Sequence, residues 1–350
     1  MDLERLHLEK ATDNIDMKFL LILINILLWL NLGFSQDSSS PINHSYIAFS
    51  IPEKDLLPEN IAFDQLTGSF FIGSTRKGKI IRIDEEGHQS TFISSKQDGL
   101  WMIIGMKTDA KNRWLWVCSS GGDNLIDYKL KDDKEGRPAG IFKFDLDSGK
   151  LIKKYVKDDT GSIHFFNDLV LDKDGNAYIT HMFEEHAIYK IDKSSDRLEL
   201  FLKPDELKYP NGIAISDDGK LLFVAHSDGI GRIDIATKSY VALGHPEELK
   251  ISRRESIDGL YFHQNTLIGI QADIKTVQQF VLSEDFSHIK ESHLLEVDHP
   301  MMNNPTTGVM VKDELFYLAN AQFGSFDKEG ELFPMTRLYE PLILKIKITE

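Results

Sequence analysis

The stretch NDLVLDKDGNAYITH, residues 167–181, leads into AIYKID at 187–192, and the pattern returns as NGIAISDDGKLLFVAH at 211–226 followed by IGRID at 230–234. Each copy holds short β-branched or aromatic runs separated by Asp, Asn and Gly, as expected of strands joined by tight turns. Outward from this pair, the unit recurs as ENIAFDQLTGSFFIGS with KIIRID from Glu59 and as IGMKTDAKNRWLWVCSS with GIFKFDLDSG from Ile104. It recurs again as DGLYFHQNTLIGIQ from Asp258 and as TGVMVKDELFYLAN from Thr307, closing with LILKIKI near the C-terminus. Corresponding positions 59, 105, 167, 211, 258 and 307 are 46, 62, 44, 47 and 49 residues apart. A period in that range with about four strands per unit predicts an all-β, six-bladed β-propeller. The long second interval marks an insertion around GGDNLIDYKLKDDKEGRP, and YIAFSI at Tyr46–Ile51 is expected to complete the last blade and close the ring.

The repeat decides what composition leaves open. A length of 350 residues allows two or three domains, whereas six blades make residues 36–350 one domain. With 41% hydrophobic and 27% charged residues the chain has the make-up of a globular protein with a sizeable core. Forty Lys and Arg against 55 Asp and Glu give a net charge of −15, which argues against nucleic acid as a partner and suits small molecules or cations. The single cysteine, Cys118, rules out an intramolecular disulfide framework and reads as a buried thiol.

Residues 19–34 form a 16-residue run without a charge, preceded by Lys18 and followed by Ser35, Gln36 and Asp37. The run is short for a membrane span of about 20 residues and fits the apolar region of an export signal cut after Ser35. Five acidic residues in the first 16 are foreign to such a leader, so Met17 reads as the true start. Residues 1–35 are therefore an extension plus signal peptide. The mature protein is expected in the periplasm or outside the cell, with no membrane span, and an uncleaved anchor is the alternative.

In a propeller the innermost strands begin at one end of a central channel, so residues at that phase converge. Here they are Glu59, Ile104-Gly105, Asn167, Asn211, Asp258 and Thr307. Singly, Asn-Gly and Asp-Gly are turn dipeptides. Two carboxylates and two amides at one phase form a hard oxygen donor set suited to Ca²⁺ and not to zinc, which favours His or Cys. Asp172-Lys-Asp174-Gly175-Asn176 imitates the start of an EF-hand loop, but its twelfth position is Phe183 and Ser216–Gly219 occupies the same place in the next unit, so it reads as a hairpin turn. Second strands end on the same face at Ser74, Ser119, His181, His226, Gln271 and Asn320, making His181 and His226 candidates for acid–base or substrate contacts and, alternatively, structural histidines. Asp168, beside Asn167, is a candidate to orient a ligand or face the substrate.

The segments LPENIAFD, FFNDLVLDKDGNAYITH, YPNGIAISDDGKLLFVA and SIDGLYF, in this order and spacing, resemble the regucalcin/gluconolactonase (senescence marker protein-like) family of six-bladed propellers, with paraoxonases and strictosidine-synthase-like proteins as more distant relatives. The resemblance spans roughly residues 46–348. It implies a divalent metal held by Glu59, Asn167, Asn211 and Asp258, usually Ca²⁺, with Zn²⁺, Mn²⁺ or Mg²⁺ as substitutes, and hydrolysis of a lactone or related ester. Asp258 is then the expected acceptor of the proton from the attacking water.

Three departures bear on the substrate. Asn60 follows Glu59 where the family has Gly or Ser, and Phe165 stands where sugar lactonases have an Arg. The second-blade histidine of paraoxonases corresponds to about Ile104. Trp101, Met102, Phe165, Phe166, Met182 and Phe183 near the blade ends either line an apolar mouth or pack between blades. The competing readings are a secreted, non-catalytic binding module with a structural metal and a hydrolase of aryl esters or phosphotriesters. No Gly-x-Ser-x-Gly elbow or phosphate-cradling loop is present.

Overall fold

Six antiparallel four-stranded sheets follow one another along the chain in a computed structural model. The structure describes residues 42–128, 136–246, 249, 251–252 and 254–348. The expected leader at 1–35, with its cut after Ser35, and residues 129–135 of the second-blade insertion lie outside the described residues. The innermost strands are Pro58–Asp64, Met102–Asp109, Phe166–Leu171, Ile213–Ile215, Gly259–His263 and Gly308–Val311. In the first five blades the remaining strands follow in sequence order toward the rim.

The sixth blade is composite. Its outermost strand is Tyr46–Ser50, paired antiparallel with Leu342–Lys347, so the N-terminal segment closes the ring as the sequence predicts. Entry into this strand is fixed by Glu296, a buried carboxylate whose Oε2 accepts the backbone N–H groups of His44 at 3.0 Å and Ser45 at 2.6 Å. Ile42 bridges to Val297 on the fifth blade, and the Tyr317 hydroxyl donates to Ser45 Oγ at 2.8 Å.

The core lies between blades. Alternating residues of each strand point to opposite faces of its sheet, and the described residues gather into six apolar clusters, one for each blade-to-blade interface. Ile104, Trp116, Ile141, Leu169, Ile179 and Ile191 pack between the second and third blades, for example, and Cys118 lies buried among them. Burial and the nearby Asp168 push its thiol up, out of the reactive range.

Recurring aspartates close the turns. Asp172 Oδ1 accepts the N–H groups of Asp174 and Asn176 at 3.0 and 2.9 Å, with Gly175 at φ +90°, which makes DKDGN a hairpin turn. At the ends of third strands, Asp84, Asp145, Asp192 and Asp234 each accept N–H groups from the next few residues. That bond explains the repeated Ile-Asp and Phe-Asp pairs. Among the described residues no helix is long and apolar enough to cross a membrane.

Replacing Glu296 with Ala leaves the buried Ser45 N–H and the part-buried His44 N–H without their acceptor, a loss of about 1–3 kcal/mol. Chemical denaturation of Glu296→Ala should show that loss, and an unchanged midpoint would mean that the N-terminal strand is held by its ladder with the last blade alone.

Candidate functional site

The six inner strands begin close together, and their first residues carry the site. The Glu59 backbone carbonyl accepts the hydroxyls of Thr306 and Thr307 at 3.0 and 2.6 Å, tying the first blade to the sixth. Asn60 Nδ2 donates to Thr307 Oγ1 at 3.0 Å and its Oδ1 accepts the Met106 N–H at 3.1 Å, so one buried amide joins three blades. Thr180 Oγ1 donates to the Asn211 carbonyl at 2.8 Å and accepts the Asp168 N–H at 2.9 Å, joining the third blade to the fourth.

Glycines in this ring answer to crowding. A Cβ on Gly105 would lie 2.4 Å from the Asn167 carbonyl oxygen, and one on Gly212 would lie 2.5 Å from the Asp258 carbonyl oxygen. Neither Gly212 nor Gly259 has positive φ. The Asn211-Gly and Asp258-Gly pairs are therefore places where neighbouring backbones meet at the channel, and turn chemistry is not their reason.

Electrostatics show which side chains converge. Burial, then the Asp258 and Asp168 charges, raises the Glu59 carboxyl well above its usual range. Burial pushes Asp258 up to about 6, with Asp168 adding to the rise and a side-chain hydrogen bond with Asn211 opposing it. Burial also raises Asp168, against the opposing pull of Lys107 and of the N–H groups of Leu169 and Ile213, which its two oxygens accept at 2.8 and 3.4 Å. Three carboxylates thus share one low-dielectric locus, an expensive arrangement without a cation. Asn211 Oδ1 is buried with no hydrogen-bond partner, while Asn167 gives its Nδ2 to Met182 Sδ at 3.7 Å. Two carboxylates and two amide oxygens, one of them an orphaned acceptor, fit a hard divalent cation.

The structure brings Glu59, Asp168, Asn211 and Asp258 together, with Asn167 next to Asp168 in the same wall. It does not bring His181 or His226 to them. His181 is fully buried against Phe166 and Tyr189, and its Nε2 lies 3.0 Å from His164 Nδ1. Burial pushes it down to about 4. His226 Nε2 pairs with the Tyr240 hydroxyl at 3.1 Å, its Nδ1 accepts the Asp228 N–H at 3.3 Å, and burial lowers it too.

Of the apolar candidates for the mouth, Met102 and Phe166 are buried in the interface between the second and third blades, and Trp101 packs on Phe142. Phe165 and Phe183 remain half-buried, with ring centroids 5.1 Å apart, and Phe183 continues to Tyr209 at 6.5 Å. This row runs along residues two before Asn167 and two before Asn211. Sequence phase alone missed Asn60, Lys107 and Tyr261, which lie within inner strands and build the channel wall.

A profile of the family described as SMP-30/Gluconolactonase/LRE-like region matches residues 57–264, a span that contains all four proposed donors. A strictosidine synthase-like 3 protein from Arabidopsis thaliana is 25% identical over 225 residues, 50% of this chain and 55% of that protein, so the chain spans about half the length of this curated relative. Among solved structures, a gluconolactonase from Xanthomonas campestris superposes with TM-score 0.57 at 12% identity, covering 90% of this chain and 94% of that one. Regucalcin from Agrobacterium tumefaciens, a calcium-binding protein, gives 0.56 at 14% identity over 86% and 94%. At such identities the likeness is one of fold.

The buried imidazole carries a pH signature. An unfolded His181 takes up its proton near pH 6.5, whereas the folded one waits until about pH 4. Between those values the unfolded state binds more protons, so stability that is complete above pH 6.5 drains away as pH falls toward 4, by on the order of 3 kcal/mol. Unfolding free energies of the wild type and His181→Asn across that window should differ in slope, the variant being flatter. Parallel curves would refute the assignment.

Proposed function

Because the chain belongs to the SMP-30/gluconolactonase/LRE-like family, we propose that it is an exported hydrolase of lactones or related esters that works with a divalent cation, Ca²⁺ in the first place, held by Glu59, Asn167, Asn211 and Asp258. The carrying observation is the convergence of buried carboxylates on the unpartnered Asn211 Oδ1 at one end of the channel. The apolar run at residues 19–34 supports export.

When bound, the cation supplies Lewis acidity toward a substrate carbonyl oxygen. Asp258 accepts a proton as water adds to the carbonyl carbon, and returns it to the alkoxide released when the ester C–O bond breaks. Asp168, anchored by the N–H groups of Leu169 and Ile213, holds its carboxylate behind Asn167 and contributes negative charge to the same locus. Phe165, Phe183 and Tyr209 offer an aromatic wall in place of a sugar-binding Arg. That wall supports an apolar or aromatic ester over a polyhydroxylated lactone.

The deciding experiment is an activity screen of the mature protein over sugar lactones, apolar lactones, aryl esters and phosphotriesters, with and without chelator. Turnover should be abolished by chelation, and Glu59→Gln should lower kcat/KM by about 10²-fold or more. Retained cation binding without turnover on any class would leave a non-catalytic binding module as the reading.

Cation binding has its own pH dependence. Burial pushes the folded Asp258 carboxyl up to about 6 and holds the Glu59 carboxyl well above its usual range, so the site is readier for a cation above pH 6 than below it. The rise in Tm given by Ca²⁺ should be larger at about pH 7.5 than at about pH 5. An equal rise at both would place the bound ion elsewhere.

A further inference from the structure

Below the carboxylates the channel opens into a second cavity of about 290 Å³, at the mouth opposite the proposed active site. Its lining residues stand two to four positions past the ring on five inner strands, which at about 3.3 Å per residue places it roughly 7–13 Å further along the channel. The walls are mostly apolar, with Val170, Leu171, Ile213, Leu260 and Val309 among them, and Thr108 and Tyr261 contribute polar atoms. One charge enters this space. Lys107, on the second blade, lines the cavity and reaches toward the fifth, where its Nζ lies 5.6 Å from the ring centroid of Tyr261.

Among the described residues no hydrogen bond or ion pair holds that ammonium. Its charge acts on Asp168, at the level of the ring above. Tyr261 cannot accept a share of the charge by ionising, because burial keeps its phenol far above its usual value, and its oxygen already accepts the Gly308 N–H. The Lys107 ammonium therefore lines a mostly apolar space without a hydrogen-bonding partner of its own.

A small pocket with one ammonium free of hydrogen-bonded partners and mostly apolar walls suits a single anionic head on an apolar body. We propose that the lower mouth binds small amphipathic monocarboxylates, with the carboxylate on Lys107 Nζ and the hydrocarbon along Val170, Leu260 and Val309. The site is separate from the ring of donors above and does not depend on the hydrolase reading. The carboxylates higher in the channel repel the same head group, which keeps the affinity modest and makes it depend on the ammonium.

Calorimetric titration of the full chain with octanoate, octan-1-ol and octylammonium tests this. Octanoate should bind most tightly, and Lys107→Gln should weaken it about tenfold while Lys107→Arg retains it. Val309→Phe, which fills the cavity without touching charge, should abolish binding and keeps the test decisive if Lys107→Gln does not fold. Binding should survive chelator. Equal affinity for all three probes, indifference to Lys107→Gln or Val309→Phe, loss of octanoate binding with chelator, or no binding at millimolar octanoate would each overturn the proposal.

Discussion

Everything at the channel follows from the packing between blades. Six apolar interfaces draw six sheets around one axis, and the inner strands must then begin within contact distance of one another. At that radius there is no space for side chains at Gly105 or Gly212, because neighbouring backbone oxygens occupy the Cβ positions. The residues that do carry side chains there must satisfy three blades at once, as Asn60 does with Thr307 and Met106. Packing at the interfaces thus fixes the polar geometry of the axis.

The same convergence makes the axis electrostatically strained. Glu59, Asp168 and Asp258 are each raised by burial; the Asp168 charge opposes ionisation of both others, and the Asp258 charge opposes that of Glu59. Backbone N–H groups relieve Asp168 in part, but among the described residues Glu59 and Asp258 have no comparable donors apart from Asn211. A fold selected for stability alone would place apolar residues here, since replacing buried charges with hydrocarbon is often neutral or stabilising. Three carboxylates kept at this locus fit the positive partner proposed for it.

Strand period, blade count and ring closure were legible because each depends on local pattern: apolar runs, aspartates that close turns, and a fixed interval. The convergence of Glu59, Asn211 and Asp258 was legible for the same reason, since strand starts share a phase. Phase says which end of a blade a residue occupies and leaves open which side of the sheet it faces. His181 and His226 sit at the expected ends, yet their rings turn into packing against Tyr189 and Tyr240 and away from the axis. Asn211-Gly and Asp258-Gly look like turns in sequence because the demand on those glycines comes from another blade. Lys107 and Tyr261 sit inside strands, where their pairing depends on two blades facing each other across a six-membered ring, a relation between residues over 150 positions apart.

That cross-channel pair links the two halves of the axis. Lys107 is the cation acting on Asp168 from below, while the proposed cation site lies on its other side. A carboxylate drawn to Lys107 would reduce the positive field felt by Asp168 and so favour a cation among the ring donors. By linkage, a cation in the ring would lessen the repulsion that a carboxylate meets at the lower mouth by the same free energy. The coupling needs no movement of the wall, only charges stacked along one channel of low dielectric. A rigid ring of blades can therefore carry a dependence between its two faces through electrostatics alone.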